Sequence, residues 1–336
     1  MLKFEFLLNL WLFSLIFGQE IKKPVKPIKN FLNEDWKMFK NSVQISTQDQ
    51  LKDLEWRRRF EESYDLINKH NLEYELNPRK VKYKLKMTKF AFMSDEEFVA
   101  KKTGLKMSRK SNRRKKGRKP KRQILDPDRP KNYDSRKKYP IAVRDQGDCG
   151  GCYAFSAVSS IEYQLAKQNK LTYLSEQNFI DCSTPYGNLG CAGGTMDMAY
   201  EYMISNNGLN SLLFYPYTAK EDICKFRDNF VGAKIMGYDY IDNEEQLESA
   251  IYKYGAVSCG IDATQETFRF YSEGIYDDPK CSNVFINHAI NVVGYTENSF
   301  ICRNSWGSTW GMNGYFELPK GNNSCGLLNF CVYPII

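Results

Sequence analysis

The spacing of hydrophobic positions changes along the chain, and the change divides it. Between 31 and 75, Trp36, Phe39 and Val43 share one helical face, and Leu51, Leu54, Phe60, Tyr64 and Ile67 follow with charged residues between them. That spacing predicts helices over most of the stretch. Val81, Tyr83, Leu85 and Met87 alternate instead, as a strand over Val81–Phe92 would. Ser94, followed three residues later by Glu97, reads as a capping box that starts another helix. From Asn132 the texture changes. Cys152 opens a helix with Ala154, Val158, Ile161 and Leu165 on its buried face, and Glu176–Asp181 and Met196–Met203 are further helical segments. After Gly232 the runs Ala256–Ile261, Ala289–Tyr295, Phe300–Arg303 and Gly314–Leu318 are strand-like. Helices first and a mostly antiparallel sheet second describe an α+β chain of two subdomains with a cleft between them.

Cysteine usage sharpens the division. All ten cysteines lie between Cys149 and Cys331, which suits folding in an oxidising compartment. The N-terminus agrees: Lys3 precedes an apolar run from Leu7 to Phe17 that ends at Gly18, shorter than the ~20 residues a spanning helix needs. Residues 1–18 therefore read as a signal peptide, with an uncleaved anchor as the alternative. A lysosomal or secreted destination follows.

The net charge of +8 over 336 residues is unevenly placed. Lys101–Arg122 holds 13 basic and no acidic residues, whereas 131–336 holds 16 basic and 23 acidic, a net −7. A run such as Arg113–Arg122 cannot pack, so 106–130 is expected to be a solvated linker open to trypsin- or furin-type cleavage. Contact with polyanions such as heparin is a second reading. A nuclear or nucleic-acid signal is a third, and the signal peptide argues against it.

The candidate chemistry begins at Gln146-Gly147-Asp148-Cys149-Gly150-Gly151-Cys152. A cysteine at a helix N-terminus is placed to ionise, and a thiolate is a competent nucleophile. Cys149-x-x-Cys152 alone is ambiguous between a redox pair, half a zinc site and structural disulfides. The chain has only two histidines, His70 and His288, so a histidine-built metal site is not expected, and no cofactor is. His288 is the sole imidazole of the cysteine-rich half. Asn304, followed by Trp306, can accept the imidazole N–H and fix its tautomer, with the indole excluding water from that bond. Nucleophile, base and orienter together follow the logic of catalytic triads. A thiol–disulfide oxidoreductase would leave Gln146, His288 and Asn304 unexplained.

From Asn132 to Pro334 the sequence resembles the papain family of cysteine peptidases, in its cathepsin L-like branch. The resemblance is carried by Gln146–Phe155, Leu174-Ser175-Glu176-Gln177-Asn178, Asp181-Cys182-Ser183, Gly190-Cys191-Ala192-Gly193-Gly194, Tyr215-Pro216-Tyr217, Asn287-His288-Ala289, Asn304-Ser305-Trp306-Gly307, Trp310-Gly311 and Tyr333-Pro334. It implies a papain-like fold, with a helical subdomain and an antiparallel, barrel-like one, behind an N-terminal, mainly helical inhibitory propeptide over 19–105, with the peptidase domain at 131–336. Cys152 would attack the peptide carbonyl, His288 would act as base and then acid, and Asn304 would orient it. Gln146 and the Cys152 N–H would form the oxyanion hole. Gly193 and Gly194 would dock the substrate backbone. The resemblance also implies the disulfides Cys149–Cys191, Cys182–Cys224 and Cys281–Cys325. It leaves Cys259, Cys302 and Cys331 as buried thiols or an extra bridge. A catalytically silent relative is the alternative, although no catalytic group is lost. No occluding loop is present, so an endopeptidase is expected.

Family positions for the pocket that takes the residue two before the scissile bond fall on Thr195, Met196, Gly260, Ile286, Asn287 and Phe330, with Trp306 also lining the cleft. Phe330 at the floor should shorten the pocket and favour Val or Leu over Arg or Phe. In the propeptide, Phe60, Ile67 and Asn71 fit the family's helical motif, while Ser63, Thr88 and Phe92 replace its usual asparagine, asparagine and aspartate. Loss of that aspartate argues against acid self-activation and for cleavage of the linker by another protease, with maturation near Gln123–Lys131. In the peptidase half, Gly151 and Tyr153 replace the usual serine and tryptophan. The expected partners are peptide substrates, the chain's own propeptide and cystatin-type inhibitors, on a monomer without specific nucleic-acid binding. One glycosylation sequon stands at Asn322.

Overall fold

A computed structural model describes residues 27–107 and 124–336. The signal-peptide reading and the cluster Arg113–Arg122 lie outside the described residues. The described residues divide into two compact units that part between Glu61 and Glu62.

In the first unit, α1 (Asn33–Val43) and the beginning of α2 (Gln50–Leu76) pack through Trp36, Phe39 and Phe60. The Phe39 and Phe60 centroids are 5.0 Å apart, and those of Trp36 and Phe60 5.4 Å. The buried Arg57 guanidinium pairs with Glu61 at 2.7 Å and donates to the Leu32 carbonyl at 2.6 Å. A buried charge is tolerated here because it is fully hydrogen-bonded. Leu51, expected on the apolar face, is 78% exposed; it sits in the first turn of α2, where the helix has not yet reached cover.

In the second unit, Asn71 clamps β1 (Tyr83–Leu85) by donating to the Leu85 carbonyl and accepting from its N–H, both at 2.9 Å. The strand is shorter than the alternation predicts. It is an added strand, antiparallel to β7 (Tyr271–Gly274). The Ser94–Glu97 capping box forms as expected and starts α3 (Asp95–Lys102). β2 (Tyr133–Asp134) precedes the helical part: α4 (Cys152–Lys167), α5 (Glu176–Cys182) and α6 (Met196–Ser205). The short strands β3 (Leu209–Asn210) and β4 (Val231–Ala233) pair with each other.

The remaining elements are β5 (Gly237–Ile241), α7 (Glu244–Tyr254), β6 (Val257–Ile261), α8 (Glu266–Arg269), β7, β8 (His288–Tyr295), β9 (Ser299–Arg303), β10 (Tyr315–Pro319) and β11 (Cys331–Ile335). An antiparallel sheet runs β10-β9-β8-β6-β11-β5, with β2 on β8. Every residue of α4 except its last is buried, and it is tied to the sheet by a polar network. Asn291 donates to the Ser156 carbonyl and the Ser160 hydroxyl, both at 2.9 Å, and the Ser258 hydroxyl donates to the same carbonyl at 2.9 Å. Buried and satisfied, such a network fixes one register, and here it fixes the start of α4 against the start of β8.

Disulfides join Cys149–Cys191, Cys182–Cys224 and Cys281–Cys325, and a fourth joins Cys259–Cys331. The fourth settles the open reading of those two cysteines: antiparallel pairing of β6 with β11 sets them opposite each other. Cys302 is free and buried. Both described edges of the expected linker are engaged. Lys106 donates its N–H to the Gly194 carbonyl at 3.1 Å. At the other end, Asp126 donates its N–H to Ser249, and Arg129 pairs with Glu248 at 3.0 Å.

Candidate active site

Two element starts meet here. Cys152 is the first residue of α4 and His288 the first of β8. The Ala289 N–H donates to the Cys152 Sγ at 3.4 Å, so the thiol rests against the residue next to the imidazole. His288 Nε2 and Asn304 Oδ1 are 2.8 Å apart. The same oxygen accepts the Ser305 N–H at 2.8 Å, which holds it still. With Nε2 taken, Nδ1 is the free ring nitrogen, buried and without a hydrogen-bond partner among the described residues. The Trp306 ring lies over the imidazole, centroids 4.7 Å apart.

Gln146 is wholly buried. Its Oε1 accepts from the Ser305 hydroxyl at 2.6 Å, and its backbone N–H donates to the Ser305 carbonyl at 2.8 Å. Ser305 on Oε1 and the Cys149 carbonyl, which accepts from Nε2 at 2.9 Å, together fix the orientation of the Gln146 amide. Sequence reasoning quoted Ser305 inside a motif and gave it no role, although a hydroxyl beside the orienting asparagine was a usable signal. Tyr153, which lacks an indole donor, uses its hydroxyl instead and donates to the Gly190 carbonyl at 3.2 Å.

The cleft is filled by residues 102–105 of the chain itself. The Lys102 carbonyl accepts from Gln146 Nε2 at 3.3 Å and from Trp306 Nε1 at 3.1 Å. Gly104 and Leu105 donate their N–H groups to the Asn287 carbonyl at 3.0 and 2.8 Å, and Gly194 donates to the Gly104 carbonyl at 2.8 Å. Leu105 pairs with Gly194 as a parallel bridge. The approach is possible only between glycines. A Cβ on Gly104 would stand 1.9 Å from the Gly150 oxygen, and one on Gly193, at φ +117°, 2.3 Å from the Gly104 oxygen. Leu105 fills the pocket expected to select substrate. It belongs to the same apolar cluster as Met196, Ile286, Ala289 and Phe330, and a Cβ on Gly260 would meet its Cδ2 at 2.5 Å. Thr195, buried beside Met196, donates its hydroxyl to Asp197 at 2.5 Å. Asn287 accepts the Ala263 N–H through its side chain. Lys102, Gly104 and Leu105 had no signal in the sequence beyond lying next to the basic run.

Coverage alters the chemistry. Burial pushes the Cys152 thiol up to about 12, against a smaller downward pull from the N–H groups of Ala289 and Tyr153. Burial also pushes His288 down to about 4, against a smaller upward pull from Asn304. The helix N-terminus was expected to favour a thiolate; under the pro-segment, desolvation outweighs it and both groups are neutral. Lys102 seals the site from the other side, donating to the Gly147 carbonyl at 2.6 Å and to Asp148 at 2.7 Å.

A thiol at a helix start, an imidazole held by an asparagine, a buried amide beside them and a segment of the same chain laid across all three are the arrangement expected of a latent thiol peptidase. Residues 129–335 match the papain family cysteine protease model, and 36–98 match the cathepsin propeptide inhibitor domain; the chain belongs to the papain family, as a cathepsin L-like cysteine endopeptidase precursor. Procathepsin L of Rattus norvegicus is 39% identical over 295 residues, 84% of this chain and 86% of its own length. A cathepsin L-like peptidase of Aedes aegypti is 37% identical over 320 residues, covering 91% and 94%. Among solved structures, digestive procathepsin L 3 of the Tenebrio molitor larval midgut superposes with a TM-score of 0.82 at 35% identity, covering 92% of this chain and 100% of that one.

Proposed function

We propose that Cys152 is the nucleophile and His288 its acid–base partner, and that the propeptide works by keeping both uncharged. Once the pro-segment leaves, water enters and the thiol proton moves to His288 Nδ1, giving a thiolate–imidazolium pair. The thiolate attacks the peptide carbonyl. The oxyanion gathers the Gln146 Nε2–H and the Cys152 N–H. Collapse expels the amine, which takes the proton from His288 and leaves a thioester. Water, giving its proton to His288, attacks the thioester; the acid departs and the thiolate returns. The observation that carries this reading is the Cys152 Sγ resting on the Ala289 N–H while Asn304 holds the far side of the His288 ring. An epoxide or vinyl-sulfone probe applied to the matured enzyme should alkylate Cys152 and nothing in Cys152→Ala. Silence of the wild type would make the chain a papain-fold binding protein instead.

Leu105 in the Gly260–Phe330 pocket supports a preference for Leu or Val two residues before the scissile bond. A peptide library in which Phe there is cleaved as well or better would refute it. Residues 1–18 would be the signal peptide, 19–105 the inhibitory propeptide, 106–130 the processing linker and 131–336 the peptidase, secreted or lysosomal, monomeric and open to cystatin-type inhibitors. No helix among the described residues is long and apolar enough to cross a membrane. The basic linker would be cut by another protease and would offer polyanions a contact. Unchanged maturation after replacing its Arg/Lys cluster would refute the first of these roles, and unchanged heparin retention the second.

A further inference from the structure

Arg269, the last residue of α8, belongs to the peptidase domain and is 3% exposed. What buries it is the pro-segment. Its guanidinium carbon lies 4.5 Å from the Phe98 ring centroid, one Nη donates to the Met93 carbonyl at 3.3 Å, and the other pairs with Asp95 at 2.6 Å. Its Nε has no hydrogen-bond partner among the described residues. Glu266, one turn earlier, is exposed; it feels the Arg269 charge across a gap but makes no direct ion pair with it among the described residues. The carboxylate that touches Arg269 is therefore removed with the pro-segment, and Glu266 stays behind only as a solvent-screened neighbour.

Its position relative to the chemistry is defined. The Arg269 carbonyl accepts from Trp310 Nε1 at 3.1 Å, and its neighbour Phe268 packs on Trp310 and Trp306, with centroids 5.1 and 5.6 Å apart. Trp306 overlies His288. His288 must reach the departing amine, so the peptide after the scissile bond leaves along the His288–Trp306 wall. Leu105 fills the opposite side. On the leaving-group side the pro-segment presents Phe98 to Trp306, centroids 5.3 Å apart, and Asp95 to Arg269.

We infer that Arg269 is a specificity-determining residue for the leaving-group side of the substrate, recognising an Asp or Glu side chain there much as it recognises Asp95. An arginine that has lost its direct partner beside an aromatic wall attracts an incoming carboxylate, and a cationic side chain there is repelled. This inference rests on the peptidase reading above.

The test uses the matured enzyme and internally quenched peptides that vary only after the scissile bond. Rates are divided by hydrolysis of a peptidyl-aminocoumarin, which carries no residue on that side. At one or more leaving-side positions kcat/KM should favour Glu over Lys by about five- to tenfold. Arg269→Leu should bring the ratio to within about twofold, Arg269→Lys should retain part of it, and Arg269→Glu should invert it. Equal Glu and Lys rates in the wild type, or an unchanged ratio in Arg269→Leu, overturn the inference. Loss of aminocoumarin hydrolysis in the wild type would instead strike the peptidase reading, so the two failures are distinguishable.

Discussion

The carbonyl oxygen of Lys102 accepts a hydrogen bond from the side-chain amide of Gln146 at 3.3 Å. A pro-segment oxygen thus sits on the donor proposed to meet the substrate's developing oxyanion. If Gln146 has that role, Gln146→Ala should lower kcat of the matured enzyme by roughly 10²–10³ with a smaller change in KM, because the donor acts where charge develops. Ser305→Ala, which removes the hold on Oε1 and leaves only the Cys149 carbonyl to orient the amide, should lower kcat by a smaller factor of about ten. Steady-state kinetics on one fluorogenic peptide checks both.

Latency should depend on a missing methyl group. Gly104→Ala puts a Cβ into the Gly150 carbonyl, and backbone has little freedom to yield. The full-length chain should then leak activity, and inhibition by its own propeptide should weaken by about 30-fold or more, the scale of a 2 kcal/mol clash. Residual hydrolysis by the uncut chain is the readout. A fully latent Gly104→Ala would show that other contacts hold the segment.

Cys152 should be nearly inert in the precursor. A thiol pushed from 9.0 up to about 12 has its thiolate fraction at neutral pH cut about a thousandfold, before steric cover is counted. Iodoacetamide at pH 7 should label the matured enzyme readily and the uncut chain hardly at all.

Acid should open the cleft late. Burial raises the Asp148 carboxyl, but the Lys102 hydrogen bond and the charges of Lys102 and Lys101 outweigh it and hold the group below its ordinary value. Its contribution to closure is complete above the ordinary carboxylate value of about 3.9 and fades only as pH falls through the lower, closed-state value. Pro-segment release through this pair should therefore need pH below about 4. Asp148→Asn should weaken closure by a few-fold at neutral pH and flatten that acid step, followed as activity against pH. Asp148 is largely exposed, which keeps the effect small.

The Cys259–Cys331 bridge ties the residues next to Gly260 and Phe330, across a sequence separation of 72. Replacing both cysteines with alanine should cost about 2–4 kcal/mol and lower the melting temperature by roughly 5–10 °C. It should also blunt the discrimination between Leu and Phe two residues before the scissile bond. Calorimetry and library profiling read the two effects separately.

The candidate catalytic groups were legible because their chemistry restricts residue type: Cys152 at a helix start, one histidine in the cysteine-rich half, and an asparagine before a tryptophan. The long helices and central strands were legible from periodicity. Less visible were α7, whose signals are the Asn243 cap and the buried Leu247, Ala250 and Ile251, and the short strands β5 and β11, whose runs Gly237–Ile241 and Cys331–Ile335 have no clean alternation. The Cys259–Cys331 pairing is a property of sheet register, which local sequence does not encode. Gly104 and Leu105 were missed for a related reason: a small residue and an aliphatic one acquire meaning only from the surfaces they fit between.

β1 is hydrogen-bonded into the peptidase domain through β7, and it lies upstream of the basic linker. The proposed scission at the linker would sever the covalent tether but leave that added strand, the Asn71 clamp and the Lys102–Asp148 pair intact. The freshly nicked molecule would thus remain a two-chain complex, and its awakening would be a matter of dissociation. The onset of activity should lag behind the cut, shorten on dilution or on digestion of the freed segment, and reverse when the segment is supplied in excess.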